Sequence, residues 1–217
     1  MLTLTYALVA LSVEQRKVKG RVLELQQEIQ SWRSQLEGRQ ALLTNQAHVE
    51  FLVSQFIKFD EACRARNIEL YVLPAIRSAT SEADALLADI DALTLMGRIT
   101  LKTVHARLRQ AATRGAAEVD FLCDSLQQYC QDMLKRLALE EGQVLPLAQR
   151  VISNDEWFDI AARFVSSDLG RQDGEAREAV REVEEEQAVH GTPLRTKPAT
   201  RTRDTSDMRD VRRHAVN

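Results

Sequence analysis

Arg136-Leu-Ala-Leu-Glu-Glu-Gly-Gln-Val-Leu-Pro-Leu-Ala148 is the end of a long helical pattern, and its reading decides how the rest of the chain is read. The pattern starts near Ala117 and carries Val119, Leu122, Leu126, Met133, Leu134, Leu137 and Val144 at steps of three and four, which places them on one helix face. Arg136 and Glu140 are four apart and share a face as well. Three more patterns of this kind precede it. The first runs from about Leu4 to Glu37, with Val18, Val22, Leu25, Ile29, Trp32 and Leu36 on one side. The second spans about Ala47 to Ile76 through Phe51, Leu52, Phe56, Phe59, Cys63 and Leu73, with a distortion expected near Asn67 and a stop soon after Pro74. The third opens at Thr80-Ser81-Glu82-Ala83, a run of cap formers and early acids. It continues through Leu86, Leu87, Ile90, Leu93, Ile99, Leu101 and Leu108 to near Gly115. A shorter helical segment, Asn154 to Phe164, folds back over the others.

Composition supports this reading. The 217 residues suffice for one well-buried domain with a tail. The 8 Gly and 4 Pro leave little turn chemistry for a many-stranded sheet. Four helices of about 30 residues, each about 45 Å long, joined by short connections make an all-α, antiparallel up-down-up-down four-helix bundle over 1–170. Residues 171–217 combine the acidic run Glu182-Val183-Glu184-Glu185-Glu186 with a basic, Thr-rich stretch from Arg195 to Arg213. Too little apolar surface is available there to offset ordering entropy. A disordered tail is expected, with a short helix at 174–189 as its one candidate for order and a protein partner as its one candidate role.

Several function classes lose support. A net charge of -3 does not point to nucleic acid or a membrane. The apolar start, Met1 to Leu11, lacks a basic n-region and a cleavage site and is too short to span a bilayer; it reads as the lead-in to the first helix. Cys63, Cys123 and Cys130 form no disulfide framework, which suits a reducing cytoplasm. Cys123 and Cys130, two helical turns apart, lie roughly 10 Å from each other, out of disulfide reach. No Gly-rich phosphate loop, Cys-x-x-Cys pair, zinc-type His motif or nucleophile with its base occurs.

The quoted stretch, with Asp155-Glu-Trp157 and Ile160-Ala-Ala-Arg-Phe164 after it, resembles the fourth helix of the hemerythrin HHE cation-binding family. That helix typically reads His-x-x-x-Glu-Glu, Val-Leu-Pro-Leu-Ala, a Trp and a final Phe. Phe59-Asp-Glu-Ala-Cys-Arg-Ala-Arg-Asn-Ile-Glu-Leu-Tyr-Val-Leu-Pro74 is similar to the family's second helix, which carries His-His-x-x-x-Glu and a Leu-Phe-Pro exit. Leu8 to Gln15 and Leu86 to Gly97 look like the first- and third-helix segments that end in Glu-His. The resemblance covers roughly residues 8–170 and implies a bundle built around two non-haem irons.

The ligands that such a centre needs are nearly all replaced. By the resemblance, Gln15 stands at the first-helix His, Arg64 and Ile68 at the second-helix His and Glu, Thr94 at the third-helix His and Arg136 at the fourth-helix His. Glu140 alone is retained. Arginine has no lone pair to give and repels a cation, and isoleucine coordinates nothing. The expectation is a degenerate, metal-free site and a non-enzymatic binding or regulatory module. Arg64 and Arg136 facing inward would be costly unless paired, and Glu140 is a suitable bidentate acceptor. An Arg64–Glu140–Arg136 cluster, with Gln15 and Thr94, is expected to fill the former metal cavity; the alternative is that these side chains snorkel outward to solvent. Ser12-Val-Glu-Gln15 also reads as a capping box, which would make Gln15 a capping residue instead. His105, eleven residues after Thr94, shares that helix face, and a rebuilt non-haem iron site from Glu140, Glu141 and His105 is the rival reading. A third reading is a self-associating structural protein. His48, His190 and His214 have no partner at ligand spacing, and Trp32 and Trp157 read as packing anchors.

Overall fold

The first apolar face folds into α1 (Leu2–Leu36), an uninterrupted helix of 35 residues that buries Ala7, Leu11, Val22, Leu25, Ile29 and Trp32. The chain then forms α2 (Gln46–Arg64), α3 (Leu73–Ala79), α4 (Asp84–Arg114), α5 (Ala116–Leu139) and α6 (Leu145–Val151), followed by a helical segment α7 over 154–166. The computed structural model describes residues 2–36, 46–114 and 116–166. The expected tail and its short helix lie outside the described residues, as do His190 and His214. All described regular structure is helical, and no described helix is long and apolar enough to cross a membrane. Four long helices touch in a closed circuit: α1 meets α2, α2 meets α4, α4 meets α5, and α5 returns to α1.

Two π turns interrupt the second and fourth patterns. Ile68–Val72 leads into α3, and Glu140–Val144 leads into α6. Each ends on the valine of the same tripeptide, Val72-Leu73-Pro74 and Val144-Leu145-Pro146. Proline lacks a backbone donor, and its ring crowds the carbonyl four residues back. Widening the turn relieves the crowding: the Leu73 N–H donates to the Ile68 carbonyl and the Leu145 N–H to the Glu140 carbonyl, five residues back in each case. The two segments are copies of one device, in which Arg64 corresponds to Arg136 and Ile68 to Glu140.

They differ upstream of the π turn. From Arg136 to Glu140 the helix is continuous, whereas α2 ends at Arg64 and the backbone breaks at Ala65 and Arg66 before resuming at Asn67. The distortion expected near Asn67 is therefore a true break. Two inward assignments are also corrected: Phe51 and Ile99 stand exposed.

The capping-box reading of Ser12 is corrected too. Ser12 lies in the interior of α1, and its hydroxyl donates to the Leu8 carbonyl at 2.9 Å. The working capping box is Ser153-Asn-Asp-Glu156, which opens α7. The Glu156 N–H donates to the Ser153 hydroxyl, and the Ser153 N–H and hydroxyl donate to the Glu156 carboxylate at 2.9 and 2.8 Å. Ile152 before it and Trp157 after it are both buried, as a hydrophobic staple requires.

The apolar interior forms two clusters. One centres on Trp32, Phe56 and Tyr129, the other on Leu11, Ile68, Trp157 and Phe164. Each such side chain contributes about 1.5–3 kcal/mol by leaving water. Trp32 and Trp157 are packing anchors, as expected, although their buried indole N–H groups find no acceptor among the described residues. At three of the changes from one cluster to the other stands a buried polar residue: Gln15 between Leu11 and Val22, Arg66 between Cys63 and Ile68, Glu140 between Leu137 and Val144.

Candidate ionic centre

Glu140 is wholly inaccessible to solvent. A carboxylate in that position must be paired or neutralised, and two helices and the break after α2 supply its partners. Arg66, 3% exposed, grips it from the break after α2: Nη1 donates to Oε2 at 2.8 Å and Nη2 to Oε1 at 2.7 Å. Arg136, 2% exposed, lies one turn before Glu140 on α5 and donates from Nε to Oε1 at 2.9 Å. Gln15 of α1 donates from Nε2 to Oε2 at 3.3 Å. Both oxygens of Glu140 thus accept two hydrogen bonds each.

Glu69, in the first π turn, completes the charge balance. Its Oε1 accepts from Arg66 Nη2 at 3.0 Å and is paired with Arg136 Nη2 as well. Two guanidinium groups are set against two carboxylates. The break that brings Arg66 inward is itself held from both sides. Arg66 Nε donates to the Cys63 carbonyl at 3.1 Å, and the Asn67 N–H donates to both oxygens of Glu14 at 3.1 and 3.2 Å. Glu14 therefore serves an N–H at a helix start that has no partner within its own helix.

Electrostatics separate the two arginines. Burial pulls the Arg66 guanidinium down, but the charge and hydrogen bonds of Glu140 outweigh it, and its pKa is raised. For Arg136 burial prevails, joined by repulsion from Arg66, and its pKa is lowered despite the contact with Glu140. Burial also pushes the neighbouring Cys63 thiol up to about 11.

The expected cluster is thus corrected in two members. Gln15, Arg136 and Glu140 come together. Arg64 does not join them: its side chain is 46% exposed and pairs with Asp60 at 3.2 Å, while Arg66, in the break two residues later, reaches Glu140 instead. Thr94 is half-buried and bonds to its own helix, the Ile90 carbonyl, at 2.8 Å. Ile68 is fully buried among apolar residues. Arg66, Glu69 and Glu14 were not anticipated; Asn67 and Pro74 were the signals of an altered helix phase that could have indicated them. The rival metal set does not assemble, since Glu141 and His105 are exposed while Glu140 is enclosed.

The residues present do not fit a pair of irons. Both oxygens of Glu140 are engaged by guanidinium groups, which offer a metal no lone pair. Among the described residues no three His, Cys, Asp or Glu side chains converge as a ligand set. The cluster sits in buried surroundings with both Glu140 oxygens fully engaged in hydrogen bonds. No family model matches the chain, and neither a curated protein nor a solved structure is found to match it.

Proposed function

We propose that the chain is a hemerythrin-like, up-down-up-down four-helix bundle in which an ionic cluster occupies the place of the di-iron site. On this reading it works as a binding or regulatory module, not as an oxygen carrier or an enzyme. The observation that carries the proposal is the saturation of Glu140 by Arg66 and Arg136. The guanidinium charges stand where metal charge would otherwise be needed, so the interior is balanced without a cation. The closed circuit of α1, α2, α4 and α5 supports the bundle arrangement. Three buried free cysteines support a reducing compartment such as the cytoplasm. Burial holds all three thiols protonated near neutral pH, which argues against a thiolate nucleophile.

Metal content tests the proposal. Protein purified without chelator, and protein reconstituted with ferrous iron under nitrogen, should both lack stoichiometric iron and any visible absorption band. About two irons per chain with an oxo-bridge band would overturn it and restore the di-iron reading.

A further inference from the structure

Arg64, excluded from the core, lies in a groove of ≈ 290 Å³ between α2 and α4. Ile57 and Leu101 give the groove an apolar floor, and both are at least partly buried. Arg64, Arg98, Lys102 and His105 stand along it. Arg98, Lys102 and His105 follow one another at steps of four and three, so α4 presents them on one face. Asp60 is the one acid in the lining, and its charge is already engaged by Arg64 at 3.2 Å and by the Tyr129 hydroxyl at 3.2 Å. Arg98 and Lys102 are exposed and make no ion pair among the described residues. Three permanent cations against one carboxylate leave the groove with two uncompensated positive charges.

We propose that this groove binds an amphipathic organic carboxylate, its apolar body lying on Ile57 and Leu101 and its anionic end held between Arg98 and Lys102. The volume sits at the lower end of the roughly 300–1,000 Å³ found for small-molecule sites, and an apolar lining with a few convergent polar groups is their usual chemistry. A bare anion would leave the floor wet, and a neutral apolar molecule would leave both cations unmatched. The inference deepens the binding-module reading by naming a ligand class. It is tested separately from that reading, because iron uptake concerns the ionic cluster and not the groove.

Calorimetric titration of the full chain with octanoate, acetate and octanol tests it. Octanoate is expected to bind saturably at one site, with acetate and octanol each about tenfold weaker or worse. The double variant Arg98→Gln/Lys102→Gln should weaken octanoate by about tenfold or more with an unchanged melting temperature, since both side chains are exposed. Absence of octanoate binding would overturn the proposal while leaving the ionic-cluster reading in place. Equal binding by acetate, equal binding by octanol, or unchanged affinity in the double variant would overturn it too.

Discussion

Arg66 and Glu140 meet as two parallel forks, Nη1 on Oε2 at 2.8 Å and Nη2 on Oε1 at 2.7 Å, 74 residues apart in sequence and both shut away from solvent. This pairing joins the break after α2 to the end of α5 at the level where the two apolar clusters meet. A bidentate contact of this type fixes geometry as well as charge, so it sets the register between the two helix segments that carry the π turns.

Removing one partner of a buried ion cluster costs more than the cluster itself is worth. Glu140→Gln keeps the shape and leaves Arg66 and Arg136 facing each other with Glu69 as the single carboxylate they share. It should cost about 3–5 kcal/mol in urea denaturation. The quadruple variant Arg66→Met/Arg136→Met/Glu140→Leu/Glu69→Gln removes all four charges together and should regain most of that loss. If the single variant unfolds at the same urea concentration as the parent protein, the cluster is not the electrostatic keystone described here.

Two glycines in helix interiors should respond with opposite signs to alanine. Gly20 in α1 has open space at its Cβ position, so Gly20→Ala should stabilise by about 0.5–1 kcal/mol through helix propensity. In α4, a Cβ on Gly97 would lie 3.1 Å from the Tyr129 ring. That ring is held by Asp60 at 3.2 Å and edge-on by Phe56 at 5.7 Å, and has little room to yield. The overpacking cost of about 1–3 kcal/mol exceeds the propensity gain, and thermal melts should show Gly97→Ala destabilised. A Gly97→Ala protein that melts higher would mean that Tyr129 can shift.

The all-helical character was legible in the spacing of apolar residues, because burying a stripe every three or four residues has one regular solution. Glu140, Arg136 and Gln15 were expected inside only through the resemblance, as occupants of the family's ligand positions, with Gln15 also open to a capping role. Arg66 was not. The resemblance, and not helical phase, points Arg64 inward, at the position of the family's second-helix His: from Cys63 a uniform helix turns Arg64 by about 100° and Arg66 by about 60° the other way. The break at Ala65–Arg66 and the π turn that Pro74 demands together reset that phase. Local backbone irregularity leaves only weak marks in sequence, here Asn67 and the repeated Val-Leu-Pro. The exposure of Phe51 and Ile99 belongs to the same class, since apolar periodicity cannot say which of two adjacent faces the neighbouring helix covers.

The Ser153–Glu156 box predicts an acid-range effect. The backbone N–H of Ser153, then its hydroxyl, hold the Glu156 carboxyl below the usual carboxylate range. A carboxyl depressed in the folded state adds stability that is present above its unfolded value and is lost as pH falls through its folded one. Glu156→Gln, which removes the titrating carboxyl, should lower stability at neutral pH and flatten the decline toward acid. Equal acid slopes for parent and variant in denaturation series would show that the box does not carry this dependence.

The cysteines predict the alkaline side. Burial pushes Cys63 and Cys123 up to about 11 and Cys130 up to about 12, from an ordinary 9.0. Because the folded values lie above the unfolded one, this stabilisation is complete below pH 9.0 and is lost as pH rises toward about 11 to 12. Each thiol that ionises only on unfolding contributes a slope of up to about 1.4 kcal/mol per pH unit. Stability should therefore fall across this window, and the fall should be shallower in Cys63→Ala/Cys123→Ala/Cys130→Ala, whatever the cavities cost at neutral pH. The same burial makes the thiols inert: at pH 8 a disulfide reagent should label none of the three in the native protein and all three in denaturant. Rapid native labelling of even one thiol would show that its helix opens locally, and would place the weak point of the interior at that residue.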